Sequence, residues 1–154
     1  MEPKLIIDPN INKAYLKING KIKSYDIATA DINGDNHEHA YYTPVGLTKI
    51  IEKKKVTNIF FPAFIRLNFL KLPFVNLQDG KRPYFLHGPY GIEAKMLEKN
   101  GRFKNNGYLS KGCVRFKEND ILELYENLNI GDIVEIIEYN DKDINDFIKR
   151  HSKN

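Results

Sequence analysis

Apolar and polar residues alternate along the opening part of the chain with the two-residue period of strands that bury one face. Leu5-Ile6-Ile7-Asp8, Lys13 to Ile18 and Lys21 to Ile27 carry β-branched and aromatic residues between turn signals, so each is read as a strand. The Asn19-Gly20 pair between the second and third runs predicts a two-residue hairpin. A polar stretch from Ala30 to His39 leads to Thr43-Pro44-Val45-Gly46, a turn before another strand that runs through Ile50. Ile59 to Phe69 is apolar and aromatic, and Asn76 to Arg82 reads as a surface loop. The apolar run Tyr84 to Leu86 ends at His87, where Gly88-Pro89 makes the chain turn. After Phe116 the period changes. Glu118-Asn119-Asp120 opens a helix, Ile121, Leu122, Leu124, Tyr125 and Leu128 supply its apolar face, and Asn129-Ile130-Gly131 stops it. Ile133 to Ile137 is a closing strand, and Asp143 to Lys149 is read as a short terminal helix. With no repeat or linker, the pattern predicts one mainly β domain over 1–154, with a core of about 4–138 and a tail of 139–154.

Composition narrows the partners. Lys+Arg 24 against Asp+Glu 20 leaves a formal charge of +4, interspersed along the chain, which describes a mixed surface. The Lys53-Lys54-Lys55 run is too short to suggest nucleic-acid binding. No stretch approaches the ~20 apolar residues of a membrane span, and no signal-peptide core follows Met1-Glu2-Pro3-Lys4. The chain is therefore either cytoplasmic or a mature domain whose leader is left out. One cysteine excludes an internal disulfide, and a chain of 154 residues buries roughly two-thirds of its unfolded surface without needing one.

That cysteine is the chemical focus. Cys113 stands in Leu109-Ser110-Lys111-Gly112-Cys113-Val114-Arg115-Phe116, and His87 stands in Tyr84-Phe85-Leu86-His87-Gly88. A single thiol with an imidazole available elsewhere is the composition of a thiolate nucleophile paired with a general base. Gly112 lets the chain bend so that backbone N–H groups face a reacting carbonyl, a donor arrangement worth about 3 kcal/mol per donor. Arg115, two residues on, shares a strand face with Cys113 if the segment is extended, and its planar fork suits a substrate carboxylate. Asn36-His37-Glu38-His39 lacks a third well-placed ligand, and Asp31 to Asp35 lacks calcium-loop spacing, so no metal and no cofactor is expected.

Taken together and in order, four segments resemble the L,D-transpeptidase catalytic domain, the YkuD-type domain of peptidoglycan cross-linking enzymes. Residues 5 to 27 are similar to its opening strands with a central Asn-Gly-Lys hairpin. Thr43-Pro44-Val45-Gly46 is similar to its Thr-Pro-x-Gly turn, and Phe85-Leu86-His87-Gly88 to its apolar-His-Gly segment. Ser110-Lys111-Gly112-Cys113-Val114-Arg115 is similar to its Ser-x-Gly-Cys-aliphatic-Arg signature, with the Asn119-Asp120 helix and the Gly131-Asp132-Ile133-Val134 strand following.

The resemblance implies a mixed β-sheet or sandwich domain with a short helix after the cysteine strand. It implies that Cys113 attacks a stem tetrapeptide, releases D-alanine and holds a thioester, which an amine resolves into a 3→3 cross-link. In that reading His87 is base and then acid, the Gly88 carbonyl orients its ring, and Gly112 and Cys113 N–H groups face the oxyanion. Ser110, Lys111, Arg115 and Tyr84 line the substrate groove. Many members carry a second histidine where this chain has Lys111, and the separation of His87 from Cys113 is longer than usual. The added length falls in Glu93 to Asn106, which is a lid over the acyl pocket or a solvated loop. The implied partner is a peptidoglycan stem peptide met by a monomer in the periplasm or cell envelope, with no nucleic acid and no membrane insertion. Rival readings are an L,D-carboxypeptidase that uses water as acceptor, a cell-wall-targeting toxin of the same fold, and a non-catalytic murein-binding module.

Overall fold

The strand alternation decides which side chains face inward. In the computed structural model Leu5 and Ile7 of β1 (Leu5–Asp8), Ala14 and Leu16 of β2 (Lys13–Ile18) and Tyr25 and Ile27 of β3 (Lys21–Ala28) are buried, and the residues between them are not. The structure describes residues 2–29, 45–58, 60–70, 84–88 and 114–140, with 142 and 146. The predicted loop at 76–82, the 93–106 segment, the histidines at 37 and 39 and nearly all of the predicted terminal helix lie outside them.

β2 and β3 meet through Asn19 (φ 48°) and Gly20 (φ 77°), with Ile18 paired to Lys21. Two consecutive positive φ values are what a type I′ turn requires, and asparagine and glycine reach them at least cost. β4 (Gly46–Lys55) follows the predicted turn and pairs with β5 (Ala63–Phe69), their register shifting at a bulge between Ile50 and Glu52. β6 (Tyr84–His87) and β7 (Val114–Phe116) complete the wall, and β8 (Ile133–Ile136) closes it. The order β1-β2-β3-β7-β6-β5-β4-β8 forms a closed barrel. Two of its seams, β1 with β8 and β6 with β7, are parallel; the others are antiparallel. Among the described residues each strand has a neighbouring strand on both sides.

α1 (Glu118–Asn127) is the helix expected after Phe116. Ile121, Leu124 and Leu128 enter the core, while Leu122 and Tyr125 of the predicted face are only half-buried. Tyr125 instead receives Lys53 Nζ, 4.6 Å above its ring, and that ammonium also donates to the Tyr125 carbonyl at 2.7 Å. Glu118 and Asp120 place negative charge in the first turn, where the helix dipole favours it. Glu123 ties the helix to β3 through the Tyr25 hydroxyl and Lys23. No helix among the described residues is long and apolar enough to cross a membrane.

Candidate active site

β6 carries the histidine, and its two neighbours determine what surrounds it. Phe64 of β5 and Arg115 of β7 are both paired with His87. Residues paired across adjacent strands share a face, so Lys54, Phe64, His87 and Arg115 form one row across β4 to β7. Glu52, Arg66 and Phe85 form the next. The alternate positions Ile65, Leu67, Leu86, Val114 and Phe116 point the other way, into the barrel core. The candidate site is thus on the outer face of the sheet, with the core directly behind it.

The face is walled with aromatic rings. Phe60, which precedes β5, stacks at 4.8 Å on the His87 ring and at 4.9 Å on Phe85, and Phe85 meets Phe64 edge-on at 5.2 Å. His87 is consequently only 2% exposed. Its Nδ1 lies 2.7 Å from the Gly88 carbonyl. A carbonyl can only accept, so Nδ1 carries the proton and Nε2 is left with its lone pair as the basic atom.

Gly88 is fixed from the opposite side. Its N–H is shared between the Phe60 and Ala63 carbonyls, each at 3.3 Å. A Cβ at this position would stand 2.1 Å from the Phe61 carbonyl oxygen and 2.4 Å from Pro62 Cδ. Glycine is therefore needed for close approach of two backbones, and the carbonyl that orients His87 belongs to that tight contact.

Electrostatics hold the imidazole neutral. Burial is the main cause, the Arg115 guanidinium opposes a second positive charge, and the Gly88 carbonyl only partly offsets them; the pKa falls from 6.5 to about 4. Near neutral pH His87 is a proton acceptor, and an imidazolium resting beside a thiolate is disfavoured. The unfolded chain, by contrast, protonates this histidine below about pH 6.5. The stability contributed by a neutral His87 is complete above pH 6.5 and is lost as pH falls toward 4, roughly 3 kcal/mol in all. Urea unfolding between pH 4.5 and 7.5 should show this acid limb in the wild type and a flatter one in His87→Gln; equal slopes would contradict the neutral assignment.

Of the residues singled out in the sequence, the structure brings together His87, Gly88 and Arg115. Tyr84 alternates with Phe85, and its ring packs edge-on against Phe69 at 5.5 Å, alongside the core and on the other side of β6 from His87. Ser110, Lys111, Gly112 and Cys113 lie outside the described residues; β7 begins at Val114, the residue that follows Cys113 in the chain. Arg115 is 4% exposed and adjoins the histidine. Sequence reading missed Phe60, Phe64 and Arg66 as parts of this face. The two-residue spacing of Phe64 and Arg66 inside the aromatic run was the available signal. Among the described residues no group of three or more His, Cys, Asp or Glu could hold a metal ion.

Comparison with known proteins decides the family. The model of the L,D-transpeptidase catalytic domain, YkuD, matches residues 3–136. The chain belongs to this family. An L,D-transpeptidase from Mycobacterium tuberculosis H37Rv has the same fold, with a TM-score of 0.58 at 14% identity over 88% of this chain and 58% of that one. An L,D-transpeptidase from Stackebrandtia nassauensis matches with a TM-score of 0.54 at 18% identity, over 87% of this chain and 54% of that one. L,D-transpeptidase 3 from Mycobacterium tuberculosis, solved in complex with a faropenem-derived adduct, matches with 0.58 at 14%, over 88% and 61%. The chain spans little more than half the length of these structures, and at such identities the likeness is one of fold. No curated protein matches the chain in sequence. Within the L,D-transpeptidase domain, the expected apolar-His-Gly segment is β6 with Gly88 after it, and the Val114-Arg115 end of the cysteine signature lies in β7 beside it.

Proposed function

We propose that this chain is a cysteine-dependent peptidoglycan L,D-transpeptidase, one domain acting as a monomer in the cell envelope, with Cys113 as nucleophile and His87 as its base. The observation that carries the reading is the fixed His87 tautomer: Nδ1–H is held by the Gly88 carbonyl, and the neutral Nε2 stands on the strand beside the one that opens immediately after Cys113. If the segment before Val114 is extended, Cys113 shares a strand face with Arg115, the residue paired with His87.

In the first half-reaction Nε2 takes the thiol proton while sulfur bonds to the scissile carbonyl carbon of the stem tetrapeptide. Charge then develops on the carbonyl oxygen, where Gly112 and Cys113 N–H groups are proposed to donate. Collapse breaks the C–N bond, the proton passes from His87 to the leaving amine, and D-alanine departs from a thioester on Cys113. In the second half-reaction an acceptor amine attacks, Nε2 takes its proton, and breaking the C–S bond returns the sulfur as a thiol. Arg115 gives the groove its positive charge, and Ser110 and Lys111 line it.

Incubation with purified muropeptides and mass analysis tests this. A wild-type adduct equal to the donor minus D-alanine, followed by a cross-linked dimer when acceptor is present, is expected. Cys113→Ala should form neither, with an unchanged unfolding temperature. Tripeptide without dimer at saturating acceptor would move the assignment to the carboxypeptidase, and no adduct in the folded wild type would reject a thioester enzyme.

A further inference from the structure

The histidine row is not the only chemically loaded part of this face. Arg66 occupies the next row, directly across from Phe85, two residues along the sheet from Phe64 and His87. Two residues of strand are about 7 Å, within the reach of an arginine side chain from a peptide bound at the histidine. Glu52, its neighbour in the row, is the only charged group paired with it in the register, at 3.7 Å from Nη1. That is beyond hydrogen-bonding distance, and both side chains are partly exposed, 36% for Arg66 and 47% for Glu52, so the pair contributes little.

Meanwhile the Arg66 Nε is buried and has no hydrogen-bond partner among the described residues. A buried donor left unsatisfied is costly, and native proteins rarely keep one without use. With Nε closed off from solvent, the outer end of the guanidinium, held only by the loose Glu52 contact, is the part open to a ligand. A carboxylate meeting that outer end would accept from the two terminal nitrogens at once, in the two-bond geometry that arginine provides and lysine does not.

We infer that Arg66 binds a free carboxylate of the donor peptide, displacing the loose Glu52 contact, and so selects donors that carry a negative charge next to the reacting segment. This inference rests on the acyl-transfer function proposed above, and Arg66 is a specificity residue in it, removed from the reacting atoms. The test uses tetrapeptide donors amidated at one carboxylate at a time, assayed on wild-type enzyme, Arg66→Gln and Glu52→Gln. In the wild type one amidated donor should show a KM raised about tenfold, with kcat little changed. In Arg66→Gln the penalty for that donor should shrink below about twofold, because the unmodified donor has lost the same contact.

Glu52→Gln removes the competing anion and should lower KM for the unmodified donor, an effect that mere support of the sheet would not produce. It remains readable if Arg66→Gln fails to fold. The inference is overturned if the active wild type penalises no amidated donor, if the penalty survives in Arg66→Gln, or if Glu52→Gln leaves KM unchanged or raises it. A wild type that turns over no donor at all would instead overturn the acyl-transfer function itself.

Discussion

His87→Gln is expected to slow acylation of Cys113 by about 10²- to 10⁴-fold, the usual contribution of a positioned general base. Glutamine is close in size and its amide takes the place of Nε2, so the pocket beside Phe60 stays largely filled. What it lacks is a basic nitrogen, since an amide oxygen accepts hydrogen bonds but does not take up a proton near neutral pH. The tetrapeptide donor of the proposed reaction serves as the acyl donor. Mass spectra taken over time would give the rate directly. The pH dependence supplies a second check. In the proposed mechanism the active form is the neutral imidazole, so the acid limb of kcat/KM should fall near pH 4, well below the 6.5 of an ordinary histidine. Activity is therefore retained as pH drops through 6.5 and is lost only when the buried ring finally protonates. An unchanged acylation rate in folded His87→Gln would dismiss His87 as the base, and an acid limb at 6.5 would show that the ring is solvated.

Gly88→Ala should be the most destabilising single-methyl change in the site. The added carbon would sit 2.1 Å from a backbone oxygen and 2.4 Å from a proline ring carbon, neither of which can swing aside like the end of a long side chain. Overpacking of this kind costs about 3 kcal/mol or more, which for a chain of this size lowers the unfolding temperature by roughly 6–12 °C. Relief requires β6 and the Phe60–Pro62 turn to part. That movement lengthens the shared Gly88 N–H bonds and shifts the carbonyl holding His87, so acylation should fall along with stability. Calorimetry together with the tetrapeptide acylation rate measures both. A variant melting within about 2 °C of wild type with full acylation would mean the two backbones have room that the structure does not show.

Local chemistry made much of this protein legible. The Asn19-Gly20 turn needs only two residues that tolerate positive φ, so the β2–β3 hairpin could be read directly. The same is true of α1, whose start, apolar spacing and stop are all contained in one short segment. His87 at a strand end followed from an apolar run meeting Gly88-Pro89. Tyr84 shows where such reasoning stops. On a four-residue strand, assigning one residue to the groove and its neighbour to the core requires knowing which side the barrel lies on, and the period alone leaves both choices open. The half-buried Leu122 and Tyr125 have the same origin, since the sequence marks an apolar face but not how much of it the barrel end can cover.

By itself, then, the sequence determined the opening strands, the hairpin, the closing strand, α1 and the family resemblance, and it offered a thiol with an imidazole as the candidate chemistry, while the strand within Ile59 to Phe69 was read only as an apolar run. These depend on residues near one another in the chain. Tertiary structure alone decided that β7 lies parallel beside β6, so that Arg115 adjoins His87, and that β8 returns to β1 to close the barrel. It alone brought Phe60 onto the imidazole and the Phe61 carbonyl against Gly88. It also lowered the pKa of His87, because desolvation and the proximity of a guanidinium are properties of surroundings assembled from distant segments, and no spacing along the chain encodes them.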